Sequence, residues 1–130
     1  MPKEIVTPPG FRPNPRGFSY VVKRSGTLVF IGGLVASGDD GQFVGEGDAY
    51  AQSVQVYKNL RTCIEAAGGT MNDIMKLTVY ATDAAHWLAT ARAREKAFQG
   101  FDYPASTFVV VTSLAVPIVL VEVEAIAVIE

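Results

Sequence analysis

Cysteine and histidine are scarce in this chain of 130 residues. Its positive and negative charges nearly balance, and its hydrophobic runs are short. Cys63 is the only cysteine, so it cannot form an internal disulfide, and we expect it to be a buried structural thiol. His86 is the only histidine, so a metal site would lack ligands. With 11 Lys and Arg against 13 Asp and Glu, the net charge of -2 offers no basic surface for nucleic acid. The amino terminus lacks the apolar core of a signal peptide, and the hydrophobic runs are too short to span a membrane. These absences predict a cytoplasmic protein without a metal site and without a nucleic-acid or membrane partner.

Apolar residues, in contrast, are abundant. They make up 49% of the chain, and a length of 130 residues suits one hydrophobic core, so we expect one domain over residues 1–130. A hydrophobic fraction this high in so small a domain indicates that some apolar surface is buried against other subunits. We therefore expect an oligomer.

Two carboxylates in the last apolar segment are the most informative local feature. Glu122 and Glu124 alternate with Val121, Val123 and Ala125. Because side chains alternate along a strand, both carboxylates project from one face while the apolar residues fill the other. A carboxylate in an apolar strand is either a paired or solvated structural group or a functional acid or base.

Periodicity and turn signals predict the element order ββαβαββ. Residues 18–23 and 27–31 resemble a hairpin, preceded by a Pro/Gly-rich ordered arm over residues 8–17. Asp48 caps a first helix that ends at Gly68, and Asp83 caps a second helix through about Gln99. One side of the predicted second helix carries Trp87, Leu88, Ala91, Glu95 and Phe98. Strands follow at residues 74–81, 107–111 and from 118 onward, which gives an α+β fold with both helices on one face of a single sheet.

Several segments, in this order, resemble the reactive intermediate deaminase family, known as RidA or YjgF. They are Gly17-Phe18-Ser19, Leu28-Val29-Phe30-Ile31-Gly32-Gly33, Ala66-Ala67-Gly68-Gly69, Lys76-Leu77-Thr78-Val79-Tyr80-Ala81-Thr82-Asp83, Pro104-Ala105-Ser106-Thr107 and Val121-Glu122-Val123-Glu124-Ala125-Ile126-Ala127. The resemblance covers nearly the whole chain. It implies a chorismate-mutase-like fold assembled as a homotrimer, with small-molecule clefts between subunits.

The resemblance also implies a chemistry and residues for it. Family members hydrolyse reactive enamines or imines without a metal or an organic cofactor; an Arg grips the substrate carboxylate and a Glu positions water. That Glu corresponds to Glu122, the aromatic residue near the cleft entrance corresponds to Phe18, and Gly33 corresponds to a glycine that lets a ligand approach the backbone.

Four positions depart from the family pattern, and all are expected at the cleft. The carboxylate-binding Arg is replaced by Ser106, the small thiol by Phe108, a helical Asn by Ala91 and a Gln by Leu34. Losing the Arg removes a two-pronged, charge-assisted contact with a carboxylate.

Other groups remain that could contact a ligand in place of the missing Arg. Ser106 and Thr107 retain hydroxyl and backbone donors. Arg92 and Arg94 on the second helix are candidate substitute cations, although helical Arg residues usually lie on a solvated face.

Three functional hypotheses follow. The first is an enamine or imine deaminase with altered specificity, which retained Glu122 favours. The second is a non-catalytic trimeric metabolite-binding protein, which the missing Arg and the apolar replacements favour. The third is an endoribonuclease or translation inhibitor, which the net negative charge disfavours.

Overall fold

The computed structural model describes residues 2–12 and 17–130. Within these ranges the chain forms six strands, two α-helices and two short 3-10 turns. The strands are β1 (Glu4–Val6), β2 (Val21–Lys23), β3 (Thr27–Leu34), β4 (Ile74–Ala81), β5 (Ala105–Val110) and β6 (Val121–Ile129). The helices are α1 (Ala49–Ala66) and α2 (Trp87–Ala97), and the turns are Met71–Asp73 and Ala84–His86.

Helix α1 forms as its sequence predicts. The Asp48 side chain accepts a hydrogen bond from the backbone N–H of Ala51 (3.0 Å), which satisfies a donor at the helix start. The chain leaves the helix after Ala66, and Gly68 adopts φ +91°, a conformation that favours glycine. Cys63 lies on this helix but is only half-buried, so the prediction of a buried thiol is only partly correct. No helix of the described residues is long and apolar enough to cross a membrane.

The main sheet has four strands in the order β3-β6-β4-β5, antiparallel except for the parallel pair β4 and β5. Both helices cover one face of it, which confirms the predicted α+β class. The core lies between these layers and is built from aliphatic residues of α1, β4 and β6, with Tyr57 and Phe98 meeting edge to face at 6.1 Å. Its largest apolar members are Leu60, Ile64, Met71, Ile74, Leu77, Val79, Val121, Val123 and Phe98.

The strands β4 and β6 show the alternation that the sequence indicated. Val121 and Val123 are fully buried, while Glu122 and Glu124 project from the other face. We call this second face, which neither α1 nor α2 covers, the open face. It carries large apolar side chains as well as the carboxylates, and Phe30 on β3 is 71% exposed there.

The predicted hairpin of residues 18–23 with 27–31 is wrong, and so is the expectation of one sheet. Strand β2 pairs antiparallel with β1, which the sequence did not predict, and these two strands form a separate sheet. The side chain of Lys3 fixes this arrangement because its ammonium donates to the backbone oxygens of Ile74 (3.0 Å) and Asp102 (2.8 Å). The predicted arm over residues 8–17 falls partly outside the description, since residues 13–16 are not described.

The second helix differs in part from its prediction, although Ala91 and Phe98 of the predicted side are both fully buried. Asp83 caps the 3-10 turn rather than α2 itself, and α2 ends at Ala97. Trp87 and Leu88 are exposed, whereas the buried side consists of Thr90, Ala91, Ala93 and Arg94. These mostly small side chains let α2 approach its neighbours closely, and the larger residues at its start remain outside. The burial of Arg94 brings a charge into the interior that the sequence alone would place in solvent.

Candidate functional site

Glu122 and Gly33 lie against each other on the open face. A Cβ atom at residue 33 would come within 2.0 Å of Oε2 of Glu122, so only glycine leaves the carboxylate in its position. Glu122 is half-buried, and it forms no hydrogen bond or ion pair within the described part of the chain. A groove of about 420 Å³ opens beside Gly33, between the edge strand β3 and α1. The structure thus places these two predicted residues in contact with each other.

The second carboxylate of the pair is engaged by a neighbour. The hydroxyl of Tyr80 donates a hydrogen bond to Oε1 of Glu124. This bond is the main cause that raises the pKa of Tyr80, and the negative charge of Glu122, which Tyr80 faces in the strand register, acts in the same direction. Of the two adjacent carboxylates, Glu124 therefore has a donor and Glu122 has none among the described residues.

Arg94, Ser106 and Phe18 form a second group at the edge strand β5. Arg94 is only 4% exposed. Its Nε–H donates to the backbone oxygen of Gly17 (2.9 Å), its Nη1 lies 3.5 Å from Oγ of Ser106, and its guanidinium carbon lies 5.6 Å from the ring centre of Phe18. Gly17 adopts φ +65°, so a glycine is required where this carbonyl turns toward the guanidinium.

The electrostatics of Arg94 follow from its burial. Burial lowers the pKa of Arg94, while neighbouring Tyr57 and Glu95 act in the opposite direction. Burial also raises the pKa of Tyr57 to about 12, and its hydroxyl has no hydrogen-bond partner among the described residues. The guanidinium remains charged under all ordinary conditions. A fixed positive charge therefore lies directly behind the hydroxyl of Ser106.

The two remaining predicted residues, Thr107 and Phe108, lie on opposite faces of β5. Thr107 is in register with Thr78 on the open face, and its hydroxyl accepts a hydrogen bond from the ammonium of Lys76. Phe108 is in register with buried Val79 and packs against the core.

Ala91, one of the four positions expected to depart from the family pattern, is fully buried. Arg92, which follows it on the same helix, is exposed. Arg94 alone of the two predicted cations therefore reaches Ser106. Sequence reasoning did not place Lys76 and Tyr80 in the site. The polar alternation of Lys76, Thr78 and Tyr80 on β4 was the available signal.

The two groups lie on opposite sides of the sheet within one chain. Ser106 is in register with buried Leu77 and contacts α2, whereas Glu122 is on the open face. Strand β4 separates β5 from β6, which puts about 10 Å between their backbones at the usual strand spacing. One chain therefore does not bring Glu122 into one pocket with Ser106, Arg94 and Phe18.

No group of three or more His, Cys, Asp or Glu side chains that could hold a metal ion occurs in the ranges 2–12 and 17–130. His86 lies in the turn before α2 and is half-buried.

The described residues thus form a small α+β protein with a two-helix layer, a sheet face that neither α1 nor α2 covers, and an unpaired carboxylate, Glu122, beside a glycine. The family model described as Endoribonuclease L-PSP matches residues 12–129. The chain therefore belongs to this family, the RidA/YjgF family.

Solved structures agree with this membership. A Rid-family protein of unknown function from Yersinia pestis, YyfB, is 34% identical with a TM-score of 0.91, over 99% of this chain and 100% of that one. A Thermotoga maritima protein described as a putative endoribonuclease is 31% identical with a TM-score of 0.73, over 87% of each chain. Escherichia coli TdcF with bound serine is 28% identical with a TM-score of 0.75, over 83% of this chain and 85% of that one.

Proposed function

We propose that the protein is a cofactor-independent hydrolase of a reactive enamine or imine, with altered substrate specificity. It acts in clefts between the subunits of a homotrimer. The observation that carries the proposal is Glu122, a half-buried carboxylate that abuts Gly33 and has no donor among the described residues. A partly desolvated carboxylate without a fixed partner is available to take a proton from water.

The separation of the two residue groups supports the intersubunit location. Because Glu122 and Ser106 lie on opposite sides of the sheet, a cleft that contains both requires a second subunit. The open face offers the apolar surface for such an association, with Leu28, Phe30 and Ile126 all exposed in the single chain. The site then takes residues from two chains, and the isolated chain is incomplete.

The reaction needs one water molecule. Glu122 accepts a proton from water as the water oxygen bonds to the carbon of the C=N group, which gives a tetrahedral carbinolamine. Transfer of that proton to nitrogen completes the carbinolamine. The carboxylate then passes the remaining hydroxyl proton to the same nitrogen, so that the C–N bond breaks, ammonia leaves, the C=O bond forms and the carboxylate is regenerated. An enamine enters the same path after protonation on carbon. The products are a carbonyl compound and ammonia.

Ser106 defines how this chain differs from the usual family pattern. A hydroxyl whose oxygen lies against Nη1 of Arg94 is a stronger donor than an isolated one, because the positive charge polarises the O–H bond. It offers one directional hydrogen bond where an Arg would offer two. We therefore infer a substrate whose oxygen is neutral or only weakly charged.

The test is ammonia release from freshly generated 2-aminoacrylate or 2-iminobutanoate. We compare the unaltered protein with Glu122→Gln and Ser106→Arg, and use Glu124→Gln as the matched control, since glutamine still accepts from Tyr80. Activity that Glu122→Gln abolishes and Glu124→Gln retains supports the proposal. Activity seen only in Ser106→Arg shows a competent scaffold that uses another ligand. Activity that Glu122→Gln leaves unchanged overturns the assigned role.

A second candidate function is non-catalytic metabolite binding by the trimer. The burial of Arg94 favours it, because a guanidinium that is 4% exposed and donates to Gly17 is not presented to a ligand as a two-pronged grip. The relative TdcF was solved with bound serine. If the protein only binds a metabolite, Glu122→Gln should weaken ligand binding, and neither the unaltered protein nor any variant should convert a substrate.

The endoribonuclease or translation-inhibitor hypothesis is the weakest of the three. The family model carries that description, but the net charge of -2 gives little electrostatic attraction to RNA. Retained RNA binding at moderate salt would favour it over the other two.

A further inference from the structure

A second cavity lies far from the open face, in the seam between α1 and α2. It has a volume of about 200 Å³. Ala93 and Ala97 on α2 face this space one helical turn apart, and their methyl groups leave it unfilled. The ring of Tyr57 on α1 lines the inner side. The interior of the cavity is therefore apolar and partly aromatic.

The rim of the same cavity is cationic. Lys58 and Arg61 on α1 and Lys96 on α2 are all exposed and all line it. Arg61 pairs with Glu65 at 3.1 Å in an exposed contact, and no acidic side chain lines the cavity among residues 2–12 and 17–130. Three positive charges thus surround one small cavity on a chain whose net charge is negative.

We propose that this cavity, which we call the interhelix site, binds a small organic monocarboxylate with an apolar body. The apolar part fits against Ala93, Ala97 and the Tyr57 ring, and the carboxylate lies between Lys58, Arg61 and Lys96. The volume is below the roughly 300–1,000 Å³ of pockets that enclose drug-sized ligands, so the body is a single ring or a short alkyl chain. The cations are solvent-exposed, so salt weakens the binding.

This site is independent of the proposed hydrolase. It uses a different surface, contains neither Glu122 nor Ser106, and does not require a second subunit.

The first experiment titrates the whole protein with phenylacetate at low salt and follows the methyl resonances of Ala93 and Ala97 by NMR. We expect saturable shifts at both methyls. The neutral isostere phenylacetamide should bind at least tenfold more weakly, because it lacks the charge that the rim recognises. Equal binding of the two probes overturns the proposal, and so do shifts confined to residues 105–108 at the other site.

The second experiment alters the rim and the floor. Lys58→Glu combined with Lys96→Glu should weaken phenylacetate binding at least tenfold, while Arg92→Glu, an exposed charge reversal on α2 outside the cavity, should change it less than twofold. Ala97→Leu should abolish binding by filling the space, and circular dichroism checks its fold. Equal weakening by the rim pair and by Arg92→Glu would show non-specific charge attraction and overturn the site.

Discussion

Replacing Gly33 by alanine gives the sharpest test of the open-face site. The new Cβ atom would lie 2.0 Å from Oε2 of Glu122, whereas ordinary contact begins at 3.4 Å, so the carboxylate oxygen must move by about 1.4 Å. The obstructing atom is the end of a flexible side chain. We therefore expect the fold to survive, with a loss in unfolding free energy below about 1.5 kcal/mol, the usual range for a side chain forced off its rotamer.

Activity should respond far more than stability does. A displacement of about 1 Å of a catalytic group can reduce a rate about 100-fold, and we expect a loss of at least that size in ammonia release. The glycine before it provides the matched control, because a Cβ at Gly32 meets nothing within 4 Å. Gly32→Ala should therefore retain both stability and activity.

Two measurements check this prediction. Urea unfolding gives the stability of each variant, and the deaminase assay gives its activity. The carboxyl ¹³C resonance of Glu122 reports the displacement without requiring turnover. If Gly33→Ala keeps its activity within twofold while Glu122→Gln is inactive, the contact between Gly33 and Glu122 does not position the catalytic carboxylate and the reasoning fails.

Three further predictions concern stability and assembly. Arg24→Met should lower the unfolding free energy by about 3–5 kcal/mol, because the largely buried Asp73 carboxylate then keeps the Thr70 backbone N–H as a donor but loses its counter-charge; the Arg24 and Asp73 side chains are 9% and 13% exposed. Lys23→Met breaks an ion pair with Glu4 whose side chains are 65% and 52% exposed, and should cost less than about 1 kcal/mol in the same urea titration. Burial lowers the pKa of Lys3 from 10.5 to about 8, so the unfolded chain binds more protons between these values, and stability relative to Lys3→Met should rise as pH rises from 8 toward 10.5; a flat difference in thermal unfolding across that window would refute this. Phe30→Glu places a charge on the open face and should convert the proposed trimer to monomer in sedimentation velocity; an unchanged sedimentation coefficient would show that this face is not the interface.

Local sequence patterns were sufficient to predict the elements in which buried side chains recur at one regular spacing along the chain. The three- and four-residue spacing and the Asp48 cap predicted α1, and strict alternation predicted which faces of β4 and β6 are buried. The same alternation put Glu122 on the face away from the core. The motifs and their order predicted the family, which the family model and the structural relatives confirm.

Sequence reasoning failed where pairing depends on distant residues. Residues 18–23 and 27–31 are neighbours in the chain and resembled a hairpin, yet β2 pairs with β1 and β3 pairs with β6. The contact that stabilises β1 joins Lys3 to carbonyls 71 and 99 residues away. No short-range pattern encodes such a contact, because its energy comes from satisfying backbone oxygens that only the folded chain brings together.

The candidate site divides in the same way. The sequence alone shows that Glu122, Gly33 and Ser106 are present, and its resemblance to the family predicts that Ser106 replaces an Arg. The burial of Arg94 behind Ser106, and the position of this pair on the opposite side of the sheet from Glu122, follow from the folded chain alone. A lone helical Arg has no local signal for burial, since its position depends on the carbonyl of Gly17 and the ring of Phe18, which reach it from 77 and 76 residues away in the chain.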